Sequence, residues 1–187
     1  MIEGRLVRLR PAELADAERF SRWFNDQEVT RFLIADRYPV SLAEEERFVR
    51  ERPPMSFSDG AIFAVETKDG RHIGWTSFYD VHTEDRKACL AVTIGEKECW
   101  SQGYGGDAVV TLLRFGFHEM GLNRVWLTTV EYNERAIACY KRCGFVEEVR
   151  LRQDAYRHGR YWDFVQMAIL RDEFKALHGA EEGGRHA

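Results

Sequence analysis

No apolar run among these 187 residues approaches the ~20 that a membrane-spanning helix needs. The opening stretch Met1–Pro11 lacks a secretory leader's apolar core; it is arginine-rich and alternates like a strand. A basic excess is missing too. Lys and Arg number 27 against 31 Asp and Glu, a net charge of −4 without the footprint of a nucleic-acid partner. The four cysteines, Cys89, Cys99, Cys139 and Cys143, form no C-x-x-C pair. Cys139 and Cys143 stand four apart, a spacing that two metal ligands could use. The simpler reading is free thiols in a cytoplasmic protein with no metal. Internal repeats and interior linkers are also absent. One domain is expected over 1–178, followed by a polar, Gly-rich tail, 179–187, expected to be disordered.

What is present is enough to build a core: 44% of residues are hydrophobic and 13% aromatic. Alternation predicts strands at Arg5–Arg10, Ala61–Thr67, His72–Tyr79, Ala88–Gly95, Val125–Val130, Phe145–Arg150 and Arg160–Leu170. Lys68-Asp69-Gly70-Arg71 between two apolar runs reads as a hairpin turn. Helical spacing predicts helices from Pro11 to Phe24, from Ser41 to Arg50, from Gly103 to Met120 and from Asn133 to Arg142, and a short terminal one over Asp172–His178. Asn25–Val40 is predicted to wrap over the surface. Ser41 to Glu44 has a capping-box pattern, and Pro53-Pro54 ends the second helix. The fold class is therefore α/β (α+β): a single mixed sheet of about seven strands with helices on both faces.

Two segments carry chemistry. Trp100-Ser101-Gln102-Gly103-Tyr104-Gly105-Gly106 follows a strand and opens a helix. Its three glycines let the backbone curl and approach a ligand without Cβ atoms in the way. The first amides of the helix then point into the curl at the positive end of its dipole, which suits a pyrophosphate. No G-K-[ST] follows and no acidic ribose contact is marked, so a nucleotide P-loop and a dinucleotide fold are both disfavoured. The second segment is Asn133-Glu134-Arg135-Ala136-Ile137-Ala138-Cys139-Tyr140, leading to Gly144-Phe145. Asn133 suits a helix N-cap. Asn133, Ala136 and Tyr140 share one helical face, so an amide and a phenol would line one side of a groove.

In this order and spacing the chain resembles the Gcn5-related N-acetyltransferase (GNAT) superfamily. Within it, the chain is most similar to the branch with ribosomal-protein and spermidine acetyltransferases. The resemblance runs from Arg5 to Leu170. Ala91–Gly95 with Trp100–Gly106 resembles that family's motif A, Asn133–Phe145 its motif B, and Gly159–Asp163 the branch's closing strand. It implies a mostly antiparallel twisted sheet and acetyl-CoA as co-substrate. It also implies that the backbone of Thr93, Ile94 and Gly95 holds the pantetheine arm. The amides of Ser101, Gln102, Gly103, Tyr104, Gly105 and Gly106 would hold the pyrophosphate, and Asn133 and Ala136 would line the arm. Tyr140 would protonate the departing thiolate. A phenol of pKa about 10 and a thiol of about 8.5 can share a proton in one desolvated pocket.

The sequence departs from the family at two points. Trp100 stands where motif A commonly opens with Gln or Arg. Thr128 stands where the ribosomal-protein branch carries a glutamate base, so that base does not transfer. Glu131 and Glu96 are the nearby candidates, with a water relay as the alternative. The acceptor wall is expected from Trp23, Phe24, Phe32, Asp36, Arg37 and Tyr38 with Trp75, Phe78, Tyr79 and Asp80, aromatics and acids that suit a cationic amine. The acceptor would be a small molecule or a peptide N-terminus, acted on by a monomer or homodimer. Arg8, Arg10, Arg37 and Arg86 would instead favour an acidic acceptor such as an amino-sugar nucleotide. A non-catalytic CoA sensor is the competing class, and the joint presence of Asn133 and Tyr140 favours the enzyme.

Overall fold

A computed structural model describes residues 1–33, 38–51 and 60–179. The strands are β1 (Ile2–Glu3), β2 (Val7–Pro11), β3 (Ala61–Thr67), β4 (His72–His82), β5 (Lys87–Ile94), β6 (Arg124–Val130), β7 (Val146–Arg157) and β8 (Arg160–Leu170). The helices are α1 (Ala17–Phe24), α2 (Gln27–Thr30), α3 (Leu42–Glu51), α4 (Tyr104–His118), α5 (Glu134–Cys143) and α6 (Arg171–His178). All eight strands form one sheet in the order β1-β2-β3-β4-β5-β6-β8-β7. Every neighbouring pair is antiparallel except β5 and β6.

The sequence reading merges β1 and β2 into one strand and so gives seven where there are eight. Gly4 separates the two, because its amide donates to the Val7 carbonyl and closes a tight turn (2.9 Å). Pro11 ends β2 instead of starting a helix; α1 begins six residues later, at Ala17, after a 3-10 turn over Leu14–Asp16. The stretch assigned to surface wrapping contains α2, capped where the Asp26 carboxylate accepts the Glu28 amide. The Pro53-Pro54 stop and the 180–187 part of the tail lie outside the described residues.

Both faces of the sheet are covered. On one, Phe63, Phe78, Leu90 and Val125 pack under Val109, Leu112 and Leu113 of α4 and Phe174 of α6. On the other, Phe20 and Trp23 of α1 and Val49 of α3 pack with Ile62 and Trp75. Ile62 and Phe63 are adjacent in β3 yet sit in opposite clusters, as the two-residue period of a strand requires. The β7–β8 hairpin turns through His158 (φ 52°) and Gly159 (φ 79°), the paired left-handed conformations of a twisted two-residue turn.

Beneath α1 lies a polar knot that the sequence did not announce. Asp16, 2% exposed, receives both guanidinium nitrogens of Arg10 (2.7 and 2.8 Å) and the Glu13 amide (2.8 Å). His72 Nδ1 lies 3.0 Å away, and Arg10 also reaches Glu66. Burial alone would raise the Asp16 pKa, but Arg10, His72 and the Glu13 amide together hold it well below the carboxylate range. A depressed carboxyl contributes stability that is complete above its unfolded pKa, about 4, and is lost as pH falls below that. Asp16→Asn should therefore cost about 3 kcal/mol at pH 7, the scale for breaking a buried pair. In urea melts the gap from wild type should narrow as pH drops below about 4; a gap constant across that range would contradict the assignment.

Candidate active site

Strands β5 and β6 are parallel partners for only three rungs, Lys87–Arg124, Ala88–Val125 and Cys89–Trp126. Beyond them β5 runs on to Ile94 along β4, and β6 runs on to Val130 along β8. The two strands thus part into a V whose vertex is at Cys89 and whose mouth is at Ile94 and Val130. Antiparallel pairing with β4 uses alternate residues of β5. Gly95 N–H donates to the Ile73 carbonyl (2.9 Å), so Gly95, Thr93 and Ala91 point their backbone groups at β4. Leu90, Val92 and Ile94 point theirs into the V. Three consecutive residues, Thr93 to Gly95, cannot all line it; within that trio only Ile94 does.

The glycine curl stands at the mouth. Ser101 (φ 61°) and Gly103 (φ 89°) turn the chain through left-handed conformations into α4. Gly103 is the N-cap and supplies no side-chain acceptor. The first-turn amides of Tyr104, Gly105 and Gly106 therefore carry no cap, the arrangement that favours an anion. Gln102 turns back to the Glu98 carbonyl, leaving its backbone and not its side chain for a ligand. Asp107 fixes the position of the turn: its carboxylate accepts the amides of Arg5, Leu6 and Val7 (3.1, 2.6 and 2.9 Å), tying α4 to the β1–β2 edge. A Cβ on Gly105 would meet only Ile94, at 3.6 Å, whereas one on Gly106 would press on Cys139 Sγ at 3.4 Å. Gly106 thus also lets α4 and α5 approach each other. Trp100 donates its indole N–H to the Ile94 carbonyl (2.6 Å), fixing the curl to the end of β5.

On the other lip, Asn133 caps α5 by accepting the Ala136 amide (3.3 Å), and its own amide donates to Thr129 Oγ1 (3.3 Å). At the far end Gly144 (φ 103°) closes a Schellman motif: Phe145 N–H donates to Tyr140 O and Gly144 N–H to Lys141 O. The apolar contact that accompanies this motif is Phe145 against the Tyr140 ring, centroids 5.9 Å apart. The helix stop therefore also orients Tyr140. Burial, reinforced by the thiols of Cys139 and Cys143 and more weakly by Tyr79 and Cys89, pushes its phenol well above the usual value.

Neither candidate base is free. Glu96 accepts the Trp23 indole N–H (3.1 Å) and pairs with Arg22 and Arg71. Glu131 accepts the Asp163 amide (2.9 Å) and pairs with Arg150 (3.3 Å). The acceptor wall also needs correction. Trp23 is 2% exposed, and its ring occupies the space a Cβ on Gly95 would need. Phe78 is 1% exposed and abuts Gly116 of α4, so it is core. Tyr79 pairs in register with Cys89 at the vertex, and Asp80 follows it, held by His82 (3.2 Å). Tyr38 is fully in solvent, and Asp36 and Arg37 lie outside the described residues. Phe32 packs against Tyr132 with ring centroids 6.2 Å apart, and Phe24 and Trp75 share a cluster with Trp100 of the curl. Arg10 is absorbed in the polar knot, and Arg86 lies in the turn before the vertex.

Residues 6–146 match the family described as acetyltransferase (GNAT) domain. The chain belongs to this family. It is an acetyl-CoA-dependent N-acetyltransferase, and the uncapped turn at the mouth of a V is where the residues fit that co-substrate. A Bacillus subtilis (strain 168) protein provisionally named a ribosomal N-acetyltransferase is 28% identical over 172 residues, covering 90% of this chain and 93% of its own. The spermidine N(1)-acetyltransferase of Escherichia coli (strain K12) is 24% identical, covering 92% and 90%. The crystal structure of spermidine N-acetyltransferase from Vibrio cholerae in complex with CoA and spermine superposes with a TM-score of 0.83 at 24% identity, covering 90% and 98%.

Gly105→Val tests the curl cleanly, because its only neighbour leaves room for the Cβ. The variant should melt like the parent yet bind acetyl-CoA about tenfold or more weakly, the scale of one or two lost charged hydrogen bonds. Unchanged affinity by calorimetry would remove the curl from the binding site.

Proposed function

We propose that this enzyme passes the acetyl group to a primary amine on a small molecule or peptide N-terminus, by direct attack within a ternary complex. The observation that carries the reading is the pairing of an uncapped α4 with a half-buried phenol on α5, held against Phe145. The relatives named for spermidine and for ribosomal acetylation both take amines, which supports the acceptor class. We place the reaction in the cytoplasm, where four unpaired cysteines persist.

The pantetheine arm lies between β5 and β6, with the cleft-facing backbone of Val92 and Ile94 as its strand partner. The amine lone pair attacks the thioester carbonyl; the C–N bond forms and the C–S bond breaks. Tyr140 gives its proton to the departing sulfur and recovers one from the new ammonium through water. Water is the relay because Glu96 and Glu131 are already committed to ion pairs. Since burial raises the Tyr140 pKa, the phenol stays protonated through neutral and mildly alkaline pH. kcat should rise with pH as the amine or its base loses a proton, with no fall below about pH 10.

One observation favours a second route. The Cys143 S–H, with Arg142 adding to the pull, lowers the Cys139 thiol below its usual value, and its sulfur lies against Gly106 of α4. It could take the acetyl group first and pass it on. Tyr140→Phe separates the two. Direct transfer expects kcat lower by about 10²–10⁴-fold with acetyl-CoA affinity little changed, and intersecting initial-rate lines. Parallel lines, with acetyl retained on Cys139 in mass spectra, would establish the second route.

A further inference from the structure

Arg135 occupies the first turn of α5, where a cation opposes the helix dipole. Its guanidinium stacks 4.1 Å above the Trp100 ring and 5.6 Å from Phe32. No carboxylate pairs with it among the described residues, Glu134 included. Desolvation first, and then the charge of a second cation, Arg31, push its pKa down, against a weaker pull from Cys139. Two cations and a helix N-terminus thus converge with no carboxylate paired to them at Arg135 among the described residues.

The direction in which Arg135 points follows from its helix. Residues four apart share a face, and Cys139, four residues on, looks at Gly106 in the first turn of α4. Arg135 is one turn nearer the mouth on that same stripe, so it overhangs the glycine curl. Trp100 belongs to the β5 lip through its bond to Ile94, and Arg135 to the β6 lip. The stacked side chain therefore bridges the two lips at the point where a diphosphate would enter.

We infer that Arg135 is a positioning residue for the cofactor, its guanidinium moving from the Trp100 ring onto the diphosphate held by the α4 amides. The inference rests on the curl being the diphosphate site. A guanidinium suits the task because its fork of donors matches phosphate oxygens, and a stacked perch keeps it extended at little entropic cost. The helix amides would hold the diphosphate from the β5 side and Arg135 from the β6 side, drawing the two lips together around the arm.

The test compares acetyl-CoA with S-acetyl-pantetheine, which carries the thioester but no phosphate. Arg135→Gln, at an exposed position, should weaken acetyl-CoA binding about ten- to a hundredfold, the scale of a hydrogen bond to a charged group. The loss should fall on KM and not on kcat. Acetyl-pantetheine turnover should be the same in variant and parent, and Arg135→Lys should recover part of the affinity with acetyl-CoA. The salt dependence of acetyl-CoA affinity should become shallower in Arg135→Gln. Equal losses with both thioesters, or an unchanged affinity for acetyl-CoA, would overturn the inference. If the parent itself fails to prefer acetyl-CoA over acetyl-pantetheine, the curl is not a diphosphate site and both readings fall together.

Discussion

The structure turns on one interrupted pairing. β5 and β6 share three rungs and then separate, although each keeps its outer partner to the end. Separation leaves the inward backbone groups of Val92 and Ile94 without a strand beside them, which a closed sheet would not tolerate. One such group, the Ile94 carbonyl, is answered by the Trp100 indole. The others face a slot of strand width, and an extended amide-bearing arm is the ligand that such a slot can pair with. The helices that follow each strand, α4 and α5, then start on opposite sides of the same opening. One presents bare amides, and the other starts at the buried Asn133 cap, which is tied to β6 through Thr129.

Much of this was legible in the sequence. The curl, the two helix starts and the Gly144 stop each rest on a local conformational demand that particular residues meet, and each stands where it was read. Two of the differences share one cause. A strand alternates, so neighbours cannot serve the same side. The sequence reading puts Phe78, Tyr79 and Asp80 on one wall, but Phe78 faces α4 and its neighbour Tyr79 the other side, close enough to act on Tyr140. The resemblance likewise gives Thr93, Ile94 and Gly95 one task, which only alternate residues of β5 can share. Phase was available in the sequence; which face was which depended on α1 and α4, whose placement is tertiary.

Other features had no local signal. Nothing in the segment Glu134-Arg135-Ala136 distinguishes a solvated arginine from one stacked over Trp100, because the ring lies 35 positions earlier in the chain. The Asp16–Arg10–Glu66 knot joins three elements in the same way. Glu96 is likewise tied to distant residues, Arg22 and Trp23 of α1 and Arg71 before β4.

Amide hydrogen exchange with residue resolution, with and without acetyl-CoA, tests the central claim most directly. The alternation derived for β5 makes the expectation specific. Val92 and Ile94 should gain protection on binding, together with Tyr104, Gly105 and Gly106. Thr93, already bonded to β4, should change little. Protection spread evenly along β5, or absent there while the enzyme is saturated, would contradict the account of an arm paired into the V.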